Sequence, residues 1–171
     1  MSAVTIFADA SVNPRKKIAG IGAWAKGDDR DSVTYGAPLE YTPGVTLCEL
    51  KALRMMIEHL IEKGYLWPTD DYFMLQSDCL QALWIINKCN PSYRESKHPE
   101  GASIKTWNQR SKPSTGQTRE ARRIGELLEN CTVTLRHVKG HKEGGGRQWV
   151  NDTCDKLAKR AAHSGETMEN L

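Results

Sequence analysis

Apolar and polar positions follow two different periods along the chain, and the changes of period divide it into elements. From Val4 to Ala10 the segment VTIFADA is rich in strand formers. It repeats every two positions, with Thr5, Phe7 and Asp9 on one side and Val4, Ile6 and Ala8 on the other. This predicts a strand that ends in a carboxylate. After a turn at Asn13-Pro14, further strands fit Ile18 to Lys26 and Asp31 to Tyr41, separated by Gly27-Asp28-Asp29. Strands joined by such short links form an antiparallel meander. The period then becomes helical: Leu47, Leu50, Leu53, Ile57, Leu60 and Ile61 predict a helix over Thr46 to Lys63, stopped by Gly64. Asp71 to Asp78 (DYFMLQSD) reads as a fourth strand, again ending in a carboxylate, and Leu80 to Lys88 as a short helix. Strand, helix, strand in succession implies that the fourth strand runs parallel to a neighbour.

The polar stretch from Asn90 to Gly116 contains Pro and Gly and reads as an excursion without assigned structure, apart from one turn of helix around Trp107. Thr118 to Asn130 fits a helix capped by Thr118, and Thr132 to Lys139 a fifth strand. The last helix spans Trp149 to His163, with Val150, Cys154, Leu157, Ala158 and Ala161 as its buried stripe. The polar tail from Ser164 to Leu171 is expected to fray. The expectation is one α/β domain over residues 1–163, with a basic insert at about 90–117 and a flexible tail at 164–171. Its five-stranded mixed sheet would combine a three-strand antiparallel meander with two parallel strands, flanked by helices.

Composition adds bounds. A chain of 171 residues with 39% hydrophobic content can bury a sizeable core. Its start carries no basic stretch and no apolar run approaches the roughly 20 residues of a membrane helix. A soluble, cytoplasmic protein without a membrane partner, and a monomer, is expected. Cys48, Cys79, Cys89, Cys131 and Cys154 show no disulfide or zinc spacing and read as reduced thiols. Net charge is only +3, but the segment from Tyr93 to Arg123 carries +5 and the rest −2. That asymmetry suggests a cationic surface facing a polyanion, apart from an acidic centre.

The acidic centre is the more informative pattern. Asp9 closes a first strand, Glu49 lies in the first turn of a helix, Asp78 closes a parallel strand, and Asp155 lies near the start of the last helix. Sites in open α/β sheets form at the carboxyl ends of parallel strands. Carboxylates converging there repel one another unless cations sit between them, and hard oxygen ligands favour Mg²⁺ or Mn²⁺. Two such ions about 4 Å apart can activate water and stabilise the leaving oxygen of a phosphodiester. Each carboxylate also has a plainer explanation. Glu49 completes a capping-box pattern with Thr46, Asp78 could cap the following helix, and Asp155 with Asp152 would favour a helix dipole. Asp9 is different, because a carboxylate inside an apolar strand is costly without a partner or metal.

The segments TIFADAS, CELKAL, LQSD and HVKGH…VNDTCDKLAKRAA occur in the order and roughly the spacing of type 1 ribonucleases H, which the chain resembles over most of its length apart from residues 90–117. The resemblance implies a ribonuclease H-like fold and an endonuclease that hydrolyses the RNA strand of an RNA·DNA hybrid. It implies metal ligation by Asp9, Glu49, Asp78 and Asp155, with Mg²⁺ as cofactor, and products bearing a 5′ phosphate and a 3′ hydroxyl. His141, in the glycine-rich loop Gly140 to Gly146, suits proton shuttling or product release, the alternative being a solvated loop residue. Several relatives carry a basic protrusion at the insert that grips DNA. This points to nucleic-acid contacts by Lys105, Trp107, Arg110, Arg119, Arg122 and Arg123, with Asn13 at the first turn. A solvated loop and helix face is the alternative.

The chain also departs from the family pattern. Asp9-Ala10-Ser11 replaces Asp-Gly-Ser, the first turn is short, and Val45-Thr46-Leu47 replaces an asparagine-rich stretch, all touching contacts to ribose 2′ hydroxyls. Gln81 lies three residues after Asp78, where many relatives have glutamine two after, and receives no substrate role. The competing functions are a DNA-directed nuclease or resolvase of the same fold, and a noncatalytic hybrid-binding module. The histidine loop and the Cys-Asp-x-Leu-Ala helix argue against the first, and the acidic residues against the second.

Overall fold

The structure is a computed structural model that describes residues 2–68, 71–107, 112–139 and 146–170, with backbone alone at 146 and 147. The meander is present: β1 (Ser2–Asn13), β2 (Ile18–Gly27) and β3 (Val33–Leu39) pair antiparallel in chain order. Helix α1 (Val45–Glu62) then crosses to β4 (Asp71–Ser77), which runs parallel to β1. Next come α2 (Leu80–Cys89), β5 (Arg94–Glu95), α3 (Thr115–Leu127), β6 (Thr132–His137), α4 (Gly146–Ser164) and β7 (Met168–Glu169). Spatial order across the sheet is β5-β6-β4-β1-β2-β3-β7. Among the described residues no helix is long and apolar enough to cross a membrane.

The sheet thus has seven strands where five were expected, because β5 and β7 have two residues each and are too short to show a period. The tail expected to fray instead carries β7 along the edge of β3. Gly36 leaves room for the Met168 side chain, and the Thr34 N–H donates to Asn170 Oδ1 at 2.7 Å. Glu169 lies 3.5 Å from buried His59 and 3.8 Å from Lys63. A polar segment can dock here because its own polar groups satisfy an open strand edge.

The described part of the excursion after α2, up to Trp107, is also built rather than loose. Tyr93 and Ile104 are buried, β5 extends the sheet beside β6, and the Glu95 carboxylate receives the main-chain N–H of Ile104. Helix α3 begins at Thr115, not Thr118. Ser114 accepts from Gln117 N at 3.1 Å while its own N–H donates to Gln117 Oε1 at 2.9 Å, a reciprocal cap.

Helices α1 and α2 cover one face of the sheet, with α3 against both, and α4 covers the other face. Ile6, Ile21, Leu53, Ile57, Phe73 and Leu75 fill the first interface with no exposed area. Each contributes about 1.5–3 kcal/mol by leaving water. Phe7, Val138, Val150 and Cys154 form a smaller core under α4. That helix lies very close to β2: a Cβ at Gly22 would stand 1.9 Å from Cys154 O, and one at Gly20 2.4 Å from Ala158 O. Both obstacles are main chain, so neither can yield by rotating a side chain. Gly22 is also the cross-strand partner of Asp9, so the close approach carries the Asp155 turn of α4 toward that carboxylate.

Gly22→Ala should therefore push α4 off the sheet and lower unfolding free energy by about 1–3 kcal/mol, the usual range for overpacking. Urea unfolding followed by circular dichroism measures it. A midpoint equal to wild type would mean α4 is not held at this distance.

Candidate active site

Each acidic residue reaches its place for a separate local reason. Asp9 does not end β1, which continues to Asn13. It lies just past Phe7, where the parallel ladder with β4 stops. Asp78 follows directly on the end of β4, and Glu49 projects from the start of the second turn of α1, not from the first turn as expected. One ligand atom from each of Asp9, Glu49 and Asp78 falls within 4.8 Å of the others. Asp9 and Glu49 are buried and Asp78 is half-buried. The Ala10 N–H donates to Asp9 Oδ1 at 2.9 Å and lies 3.3 Å from Glu49 Oε1, joining strand and helix at the centre.

None of the plainer explanations operates. The N-cap of α1 is Gly44 with no side-chain cap, so Glu49 is not part of a capping box. The Thr46 hydroxyl donates instead to Gln81 Oε1 at 2.9 Å. The N-cap of α2 is Cys79, not Asp78. Helix α4 starts three residues before the expected Trp149, which leaves Asp155 deep in the helix, away from its N-terminal dipole.

The electrostatics are those of crowded anions. Burial first, and then the neighbouring Asp78 charge, push the Asp9 carboxyl up to about 6. Burial and the Asp9 and Asp78 charges hold Glu49 well above the usual glutamate range. Glu49 Oε2 is buried without a hydrogen-bond partner. A buried oxygen that no donor satisfies, on a carboxylate grouped with two others, fits a hard divalent cation, which would compensate the crowded charge. Asp155 stands beside this group rather than within it: its charge reaches Asp9, and its carboxylate accepts from Lys159 Nζ at 2.9 Å. Lys159 was not among the residues expected at the site; its i,i+4 spacing from Asp155 is the signal that points to it.

The expected nucleic-acid contacts are dispersed. His141 and Arg110 lie outside the described residues. Asn13 Oδ1 accepts from Lys16 N at 3.1 Å and so closes the first turn. Trp107 packs edge-on against Trp84 of α2 with centroids 5.7 Å apart, and Lys105 is exposed nearby in the chain. Arg119, Arg122 and Arg123 line a groove of about 760 Å³ between α3 and α1, which shares no residue with the carboxylate group. Arg123 is engaged by Glu58 at 3.5 Å and Glu126 at 3.2 Å, while Arg119 and Arg122 are exposed.

A mixed sheet of this strand order, carrying carboxylates from β1, from α1 and from the residue just after β4 at one point, defines the ribonuclease H-like fold. The family model for RNase H matches residues 1–163, and the chain belongs to that family. RNase H1 from the halophilic archaeon Halobacterium salinarum NRC-1 is similar at TM-score 0.60 and 18% identity, covering 93% of this chain and 96% of that one. LC11-RNase H1, solved in complex with RNA/DNA hybrid, gives 0.62 and 16% over 94% and 96%. The N-terminal RNase H domain of rv2228c from Mycobacterium tuberculosis gives 0.61 and 15% over 96% of each chain. Comparison with curated protein sequences finds no match.

The raised Asp9 value fixes a pH dependence for the metal-free protein. The folded state holds this proton up to about pH 6, whereas an ordinary aspartate releases it near 3.8. The associated stability is complete below the lower value and is lost as pH rises through 6. In EDTA at pH 7.5, Asp9→Asn should be more stable than wild type by on the order of 3 kcal/mol, with the gap closing below about pH 4. Urea titrations across that range measure it. A less stable mutant at pH 7.5 would contradict the crowding of charge at Asp9.

Proposed function

We propose that the protein is a metal-dependent endonuclease that hydrolyses the RNA strand of RNA·DNA hybrids, leaving a 5′ phosphate and a 3′ hydroxyl. The observation that carries this reading is the group of Asp9, Glu49 and Asp78 within 4.8 Å of one another, in a chain of the RNase H family. Asp9, Glu49 and Asp78 would hold one ion, and Asp155, beside them, would share a second with Asp9 or Asp78. Bound there, Mg²⁺ or Mn²⁺ supplies activation of the attacking water and stabilisation of the leaving oxygen. The chain's own contribution is to fix carboxylates from four different elements. Burial at Asp9 and Glu49 keeps competing water away. A similar fold solved with an RNA/DNA hybrid supports the substrate class.

Among the described residues of the expected set, Lys105 and Trp107, on the α2 side, and Arg119 and Arg122 on α3 are available to the nucleic-acid backbone. Arg123 contributes less, since Glu58 and Glu126 already compensate it.

A substrate panel of labelled RNA·DNA, double-stranded DNA, double-stranded RNA and a four-way junction, with Mg²⁺ or EDTA, tests the function. Cleavage of the hybrid alone, dependent on Mg²⁺, is expected, and cleavage of the junction or duplex DNA instead would favour a resolvase-like enzyme. Asp9→Asn and Asp78→Asn should each abolish hybrid cleavage while leaving hybrid binding largely intact. Near-normal rates in both mutants would contradict the proposal. Neutralising Arg119 and Arg122 together should weaken binding to all hybrid sequences alike and reduce the log-log salt slope by about 0.9 per lost phosphate contact. An unchanged slope would remove α3 from the interface.

A further inference from the structure

We infer that His137 is a positioning residue for Asp78, and that the segment from Tyr93 to Trp107 is the buttress that fixes its ring. The importance of Asp78 rests on the nuclease reading; the contacts themselves do not.

His137 ends β6 and stands opposite Ser77 in the parallel register, one residue before Asp78. Val138 N–H donates to Ser77 O at 3.0 Å, so Asp78 begins where the ladder ends. Its main-chain carbonyl is then held from outside the ladder: His137 Nε2 lies 3.1 Å from Asp78 O. The other ring nitrogen, Nδ1, accepts the Ala102 N–H at 2.9 Å. A main-chain N–H can only donate and a carbonyl can only accept. The two contacts together therefore demand one state of the ring, with the proton on Nε2 and the lone pair on Nδ1.

The segment before α3 is shaped to deliver that Ala102 N–H. Ser96 N donates to Leu135 O at 2.9 Å, and Arg136 Nη2 donates to Ser96 Oγ at 2.7 Å, so the segment follows β6 toward its end. The Glu95 carboxylate then gathers the N–H groups of Ile104 and, at 3.4 Å, Lys105, closing the loop between them. Gly101 completes the approach, because a Cβ there would stand 2.0 Å from His137 O, a main-chain atom with no freedom to retreat. The mechanical order is insert, imidazole, Asp78 main chain, Asp78 carboxylate. Catalytic constellations tolerate displacements of about 0.5 Å, so a loosened Asp78 main chain costs function even with every carboxylate present.

The first test uses the wild-type protein without substrate. ¹⁵N-NMR of the imidazoles should show the Nε2–H tautomer for neutral His137, with Nδ1 in the unprotonated range; the Nδ1–H tautomer would overturn the inference. The second uses H137F, H137Q and G101A, reading Mn²⁺ affinity by calorimetry and kcat and KM on hybrid. H137F should lose about 10-fold in both Mn²⁺ affinity and kcat, the lower end for supporting contacts at metal sites, while KM changes little. H137Q, which keeps one donor and one acceptor, should recover part of the loss. G101A should give the same profile, and H137F/G101A together should be no worse than the poorer single mutant, since both break one linkage. Unchanged Mn²⁺ affinity and kcat in folded H137F, or a loss confined to KM, would contradict the role. Should H137F fail to fold, G101A and the imidazole spectrum still decide. Absence of hybrid cleavage by wild type would instead sink the nuclease reading, leaving the Mn²⁺ and NMR results legible.

Discussion

Mutual repulsion among carboxylates that the fold forces together is the constraint around which this molecule is organised. Asp9, Glu49 and Asp78 each offer an oxygen within 4.8 Å of the others, and Asp9 and Glu49 are buried. Like charges at such distances in a poorly solvated place either keep protons or acquire a cation. The raised Asp9 and Glu49 values are the first outcome and the unpartnered Glu49 Oε2 marks where the second would enter. A fold that merely needed a stable core would have no reason to accept this arrangement.

What imposes it is backbone geometry rather than attraction between the groups. The parallel register of β1 and β4 stops at Phe7 and Gln76, which places Asp9 and Asp78 just beyond a shared end. Helix α1 crosses above and the Ala10 N–H meets Glu49. On the other face, Gly20 and Gly22 let α4 lie against β2, bringing Asp155 near the same end. These features come from well-separated segments, so the site forms only when the whole sheet and its helices have assembled. That dependence explains how chains with 15–18% identity can share the fold, because register and close packing are preserved by many side-chain sets.

Much of this was legible in the sequence, and the limits have physical causes. The strands β1 to β4 and β6 and all helices are long enough to show their period, but of the four carboxylates only Asp78 stands at a boundary where the period changes, because β1 runs on past Asp9 and both Glu49 and Asp155 lie inside their helices. The helix-start explanations for Glu49, Asp78 and Asp155 could not be dismissed from sequence. An S/T-x-x-E pattern or an acidic residue near a helix start looks the same whether or not it caps, and the answer depends on where the helix begins. The strands β5 and β7 are too short for any period, and their polar residues read as loop. The contacts of His137 and the tail's partnership with His59 and Thr34 join residues far apart in the chain, which no local pattern encodes. The charge pattern along α3 does not encode Glu58 of α1 reaching Arg123, because the two residues come together only in the fold.

The claim that the acidic centre is a divalent-cation site in proton-holding form is tested most directly by calorimetric titration of the metal-free protein with Mn²⁺ at pH 6, in buffers of different ionisation enthalpy. Asp9 is half-protonated there and Glu49 is held up as well. Metal binding must displace those protons. The account predicts saturable binding whose apparent enthalpy depends on the buffer, reporting net proton release that diminishes at pH 8. Absence of binding, or binding without proton release at pH 6, would contradict it.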